Sequence, residues 1–341
     1  MTLTAHVRRL AVLTVTLVAG AAVSLGPPAG AGPGLPVADP EGGTKTLRDQ
    51  LDLAGRGYLE AKARFDASKQ LEASLTANRK ATELHLAMLT EQVGALAALS
   101  YRTGRLGAVS ALLDSHSPDA FLQRATQVET LSLHQDAQLH LLATTRRELA
   151  QQTDRLNAEL LVQNQQLAAM EKRKRDAERA LVAAGGGAAS GGFVATSSPA
   201  AKPAPRNPDG SWPKESCTVD DPTTSGCITP RMYHAYLQTK AAGFNHYVSC
   251  YRSGGDGEHP KGRACDWAAA VSGFGGVATG AEKDYGNRLA SFYLANADRL
   301  AVLYVIWFKQ IWMPGLGWRT YSSGNGDPAS DHTNHVHLSV L

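Results

Sequence analysis

Two short segments near the C-terminal end carry residue types that can hold a metal and activate water. The first, SCYRSGGDGEHPKGRACDWA at residues 249 to 268, contains His259-x-x-Gly262-x-Ala264-x-Asp266. An imidazole and a carboxylate are there seven residues apart with small residues between them. A chain that turns sharply at Gly262 and then enters a strand can bring both groups to one point. The second segment, HTNHVHLS at residues 332 to 339, places His335 and His337 two apart, which on a strand puts them on the same side. Two imidazoles and one carboxylate supply three protein ligands for a tetrahedral zinc with an open fourth position, the arrangement that hydrolytic zinc needs.

Residues 214–341 must fold so as to bring these segments together, and their pattern predicts a small α+β domain whose antiparallel sheet carries the site. A helix is expected over 229–243, with Pro230 in its first turn and Gly243 past its end. A strand is expected over 246–251, a helical stretch over 281–299, and a long strand or hairpin arm over 303–312. Residues 335–340 form the last strand. The four cysteines are separated by nine, twenty-two and fourteen residues, with no C-x2-C spacing for a metal knuckle. In an exported domain they most economically form two disulfides; three pairings are possible, and Cys217 with Cys227 and Cys250 with Cys265 is the favoured one.

The rest of the chain is of another kind. A length of 341 residues suggests about two domains. The formal net charge of +3 lacks the clustered basic surplus that nucleic-acid binding requires. Arg8 and Arg9 precede an apolar run from Leu10 to Leu25, and Ala29-Gly30-Ala31 offers small residues for cleavage, so residues 1–31 read as a secretory signal. No later segment is long and apolar enough to span a membrane, so a secreted or wall-associated protein is expected.

Residues 44–184 are dominated by Ala, Leu, Gln, Glu, Lys and Arg, and predict a long coiled-coil hairpin. Leu142, Leu149, Leu156, Met170 and Ala177 share one heptad register, interrupted by Gln163, and Leu139, Leu160, Leu167 and Leu181 occupy a companion register. A first helix over about 44–99 meets an elbow with Gly104 and Gly107, and the second long helix starts with Ser117 as cap and Pro118 in its first turn. Folding back antiparallel within the chain is favoured over pairing with another molecule. Residues 185–213, rich in Gly, Ala, Ser and Pro, read as a linker without chemistry, flexible at first and stiffer later. Its reach of roughly 30 Å is short against the helices, so the hairpin can lie alongside the domain and restrain or position it.

Two resemblances add to this reading. The elbow YRTGRLGAVSALLDSHSPDAFLQRATQVETL, residues 101 to 131, resembles the N-terminal coiled coils of secreted peptidoglycan hydrolases and their activators. That likeness implies docking on a divisome or envelope partner, or lying across the catalytic domain until released. The motif H-x-x-G-x-A-x-D after Tyr251-Arg252-Ser253, together with the C-terminal His-x-His, resembles the zinc peptidases grouped as lysostaphin, D-Ala-D-Ala metallopeptidase and hedgehog-type domains. Among these, the similarity is greatest to a C-terminal module recurrent in secreted actinobacterial proteins.

By that resemblance His259, Asp266 and His337 are the zinc ligands, His335 is the general base or oxyanion stabiliser, and Arg252 holds a substrate carboxylate or carbonyl. The D-Ala-D-Ala relatives place a glutamate three residues before the last ligand; here that position is Asn334, or His332 if His335 is the ligand. The base is then a histidine or Asp331. Glu258 beside His259 is a second departure. Trp307, Trp312 and Trp318 are expected as core and rim aromatics, one or two of them available to a cell-wall groove. Two functions result: a secreted zinc peptidase acting on peptidoglycan peptides, or a non-catalytic envelope scaffold or hydrolase activator with a degenerate domain.

Overall fold

The structure, a computed structural model, describes residues 44–104, 107–193, 197–321 and 324–341. The expected signal segment, residues 1–31, lies outside the described residues. Helix α1 spans Lys45–Thr103, a short α2 spans Gly107–Leu113, and α3 spans Pro118–Ala183. Thr44 caps α1 by accepting from the Leu47 amide, and Ser117 caps α3 by accepting from the Ala120 amide, each at 3.2 Å. The C-terminal part follows in the order β1 (Val219–Asp220), β2 (Cys227–Ile228), α4 (Pro230–Ala241) and β3 (Val248–Ser249). A 3-10 turn (His259–Lys261) leads to β4 (Ala264–Ala268), then α5 (Gly280–Ala295), α6 (Ala297–Leu300), β5 (Val302–Trp307), β6 (Gln310–Met313), β7 (Gly317–Thr320) and β8 (His335–Val340). Among the described residues no helix is long and apolar enough to cross a membrane.

Six strands form one antiparallel sheet in the order β3-β4-β8-β5-β6-β7. The predicted arm over 303–312 is the hairpin β5–β6, closed by Phe308 and Lys309, both at positive φ as a two-residue hairpin turn demands. Strand β8 matches the expected 335–340. The strand expected over 246–251 is reduced to two residues, because the amides of His246, Tyr247, Cys250 and Tyr251 donate to loops and a helix around the sheet.

The sheet is covered on both sides, which is why β5 and β8 are buried at every position. On one side Trp267, Val305, Trp307, Val336 and Leu338 pack against Met232 and Ala235 of α4 and Leu289, Phe292 and Tyr293 of α5. On the other, Leu303, Tyr304, Ile306, Ile311 and Met313 pack against Leu47, Leu51 and Ala54 of α1 and Ala177, Ala180 and Leu181 of α3. The base of the hairpin is thus the second helical layer of the domain. Gly55 permits this approach: a Cβ there would lie 2.7 Å from Leu303 Cδ1.

Helices α1 and α3 run antiparallel within the chain, tied across by Thr82–Gln152, Glu72–Gln163 and Ser68–Glu159. Gln163, the polar exception in the seam, is buried and donates to Glu72 at 2.8 Å. The companion register is a correction. Leu139, Leu160 and Leu167 are exposed, and only Leu181 is buried. Two helices alone cover a narrow stripe, so the seam is completed on the other flank of the first register, by Thr145, Gln152 and Glu159, the last two bonded to Thr82 and Ser68 of α1.

Residues 185–213, expected as a separator, are fastened to the domain at several described points. Gly187 donates to Thr320, Thr320 donates to Ala188, and Phe193 packs edge-on against Trp318. Further along, Ala201 donates to Asn296 Oδ1, Ala204 donates to the Arg299 carbonyl, and Trp212 is buried with the hairpin base. Small residues fit against a sheet edge and a helix end, and their amides find acceptors there.

Both favoured disulfides are present, Cys217–Cys227 and Cys250–Cys265, a pattern compatible with an oxidising, exported environment. Because the hairpin base completes the core, Leu181→Ala is expected to destabilise the whole chain by about 2–5 kcal/mol. Urea unfolding followed by both circular dichroism and tryptophan fluorescence should show the midpoint fall equally in both signals. A loss confined to the helical signal would contradict a shared core.

Candidate metal centre

Strand pairing brings the chemical groups together. Asp266 of β4 lies directly opposite His337 of β8, and His335 lies opposite Ala268, so all three side chains share the sheet face that also receives the hairpin. His259 arrives from the 3-10 turn. The chain can leave that turn because Gly262 adopts φ 68°, and a Cβ there would lie 2.5 Å from Cys217 Sγ. The Cys250–Cys265 disulfide fixes the strand start immediately before Asp266.

His259, Asp266 and His337 are buried, and one ligand atom from each lies within 4.8 Å of the others. His259 Nε2 is 3.3 Å from His337 Nδ1 and 3.2 Å from Asp266 Oδ2, while His337 Nδ1 is 2.9 Å from Asp266 Oδ1. Donors about 2.0–2.1 Å from a tetrahedral metal stand roughly 3.3 Å apart, so this donor set fits one face of such a coordination sphere. The outer partners agree. His259 Nδ1 contacts the Cys250 carbonyl, which can only accept, so Nδ1 carries a proton and Nε2 is the nitrogen left to present a lone pair when a metal binds. Ser339 Oγ, 2.8 Å from His337 Nε2, accommodates Nε2–H and leaves Nδ1 toward the cluster. These three residues could hold a metal ion.

His335 is oriented by Asn334. The Asn334 amide nitrogen donates to the Gly275 carbonyl at 2.9 Å, so its Oδ1, 2.7 Å from His335 Nδ1, accepts from that ring. The other ring nitrogen of His335, Nε2, faces Asp266 Oδ1 at 3.4 Å. Asn334, at the position noted from sequence as a departure from Glu-x-x-His, thus holds the His335 ring. The Arg252 guanidinium, partly exposed, donates to Asp266 Oδ2 at 2.7 Å. Burial pushes the Asp266 carboxyl up, but His259, His335 and Arg252 outweigh it and hold it well below the usual carboxylate range.

The remaining residues singled out from sequence are not among the three candidate ligands. Asp331 is paired with Lys309 at 2.7 Å. His332, at φ 51°, packs its ring 4.8 Å from that of His335; burial above all keeps it neutral, with its pKa well below the ordinary value. Trp307, Trp312 and Trp318 belong to the opposite face, with α4 and α5, so they do not line the cluster. Tyr304 and Phe274 are the aromatic neighbours instead, stacked on His337 and edge-on to His335.

Sequence reasoning missed Asp221, whose carboxylate gathers the loop before the site. It accepts from the Thr223 amide and hydroxyl, the Thr224 hydroxyl and the Tyr251 amide, and so fixes the segment bearing Arg252. The run Asp220-Asp221-Pro222-Thr223-Thr224 was a signal for such a turn. Ser339 was also legible, two residues beyond His337 on the same strand face.

Burial raises the Asp221 pKa, but these hydrogen bonds prevail and leave it below the ordinary value. A depressed carboxyl pKa stabilises the fold fully above the unfolded value of about 3.9, and that contribution is lost as pH falls through the folded value. Asp221→Asn is expected to cost about 1–3 kcal/mol at neutral pH. In urea titrations run from pH 7 downward, the gap to the unsubstituted chain should close in the acid range; a gap independent of pH would refute the assignment.

Residues 224–336 match the model of a family described as VldE, C-terminal domain. The matched span takes in Arg252, His259, Asp266 and His335 and stops one residue short of His337. The peptidase kinship drawn from the motifs is not part of that match. Neither a curated protein nor a solved structure matches the chain. What the comparison supports is that its C-terminal part is similar to the VldE C-terminal domain family.

Proposed function

We propose that the C-terminal domain is a zinc-dependent peptidase acting outside the cell on peptidoglycan peptides, with the coiled-coil hairpin recruiting or regulating it through an envelope partner. The observation that carries the reading is the triangle of His259 Nε2, His337 Nδ1 and the Asp266 carboxylate, with both rings held from outside. Three ligands of this chemistry suit zinc and leave a position for substrate. Bound zinc supplies a Lewis acid that polarises a peptide carbonyl and acidifies water.

The chain's own groups divide the rest of the work. His335 takes or returns a proton at Nε2, held in place by Asn334. Arg252, at the partly exposed edge of the cluster, offers its guanidinium to a substrate carboxylate or carbonyl. Asp221 keeps the Arg252 segment in position. The two disulfides suit work outside the cell.

A second reading, a non-catalytic envelope scaffold, is favoured by two observations: all three candidate ligands are buried, and Arg252 is engaged with Asp266. Wall binding unchanged by chelator, with no new amino termini released, would select it.

The purified chain is expected to bind zinc stoichiometrically, and His259→Ala combined with His337→Ala to abolish that binding. His335→Ala should keep the metal but slow hydrolysis by about 10²–10⁴-fold, the share of a general base. Metal analysis, and mass analysis of peptidoglycan fragments after digestion, check both points. Metal retained in the double variant refutes the ligand set, and unchanged hydrolysis in His335→Ala refutes its role.

A further inference from the structure

The carboxylate next to the first candidate ligand is tied to the far end of the chain. Glu258 precedes His259, and only 3% of its side chain is exposed. A carboxylate buried to this degree requires cations. Two come from its own loop, Arg263 Nε at 2.6 Å and Lys261 Nζ at 2.9 Å. The third is Arg56 of α1, whose Nη2 lies 3.5 Å from Glu258 Oε2 across 202 residues of sequence. The Nε of Arg56 is held by Asp52 at 2.6 Å, and Asp52 lies 4.0 Å from Arg263 Nη2. Asp52, Arg56, Glu258 and Arg263 therefore close a ring between the first turns of α1 and the turn that carries His259. Lys45 adds an exposed tie to Asp256 of the same loop at 3.7 Å.

The loop needs this outside support. The segment Ser253-Gly254-Gly255-Asp256-Gly257 leads into it, and Gly255 stands at φ 90°, so the chain there has little conformational restraint of its own. From one side the Cys250–Cys265 disulfide holds it. On the other side the Glu258 carbonyl accepts from the Lys261 and Arg263 amides, so wherever Glu258 is held, the turn with His259 is held too.

We propose that the Asp52–Arg56 pair of α1 is a positioning element for the metal centre: through Glu258 it keeps His259 in ligating place, and metal affinity depends on the hairpin base being docked. This rests on the reading of His259, Asp266 and His337 as a metal site. Arg56 touches neither metal nor substrate; it acts by reducing the conformational freedom that His259 must give up on ligation. Whatever lifts the start of α1 from the sheet loosens the metal, so an event on the hairpin reaches the site through this ring.

The test is competition titration of the full chain with Zn²⁺ against a chromophoric chelator, repeated with Co²⁺ to read the ligand set from its visible bands. Arg56→Ala and Asp52→Ala are each expected to weaken binding about tenfold or more. Arg56→Lys, which keeps the cation, should recover most of the affinity. Arg79→Ala breaks an α1 ion pair with Glu83, far from the loop in sequence, and should leave the affinity unchanged. Stoichiometric binding of equal strength in the unsubstituted chain, Arg56→Ala and Asp52→Ala overturns the positioning role and leaves the metal site standing. An equal loss in Arg79→Ala overturns it as well, since the effect would then be general to the helix. Failure of the unsubstituted chain to bind either ion removes both the site and its positioning element.

Discussion

Asp266 places a carboxylate, with 3% of its side chain exposed, on a central strand of an antiparallel sheet, and burying that charge constrains everything around it. An isolated carboxylate in such a position would be far too costly, so it must be met by charge and hydrogen bonds from several directions. His337 meets it across the β4–β8 ladder, His259 from the preceding turn, and Arg252 from the loop after β3. Each of these groups needs support of its own. Cys250 and Ser339 hold the rings, Asn334 holds His335, and Asp221 holds the Arg252 segment. The site is a sequence of such obligations running outward from one charge.

The same logic explains why the hairpin and the sheet form one folded unit. A central strand carrying polar groups on one face still has apolar neighbours there, Leu303, Tyr304 and Ile306, and these must be covered. The bases of α1 and α3 supply that cover, with Gly55 permitting close approach. Beyond the base the two helices cover little of each other, which leaves leucines such as Leu133 and Leu161 exposed along α3. The segment after α3 then returns along β7 and past α6 to reach α4, and its backbone bonds to both on the way.

Much of this was legible in local pattern. The period of two across His335, His337 and Ser339 places three polar groups on one face whatever their surroundings. Thr44, Ser117 and Thr229 mark helix starts because a side-chain oxygen beside free amides is a local event. Gly262 announces the turn between His259 and Asp266, since few other residues tolerate its φ. Four cysteines in a domain read as exported suggested two disulfides, with the pairing found here favoured among three.

What only the tertiary structure decided is of another kind. No local rule links Arg56 to Glu258, since a charged side chain on a helix pattern reads as solvated until a distant acid is packed against it. Glu258 and Asn334 read from sequence as departures from a motif, and became a tie to α1 and the support of His335 only when their partners were in place. The three tryptophans near the site in sequence lie across the sheet from it, because strand parity is fixed by register and register by the whole sheet. Composition alone marked residues 185–213 as a tether, yet small residues that make a chain flexible in isolation also let it lie close against a surface. Sequence by itself determined which groups could ligate, turn, cap and alternate; tertiary packing decided which charges were buried, because burial depends on neighbours brought from elsewhere in the chain.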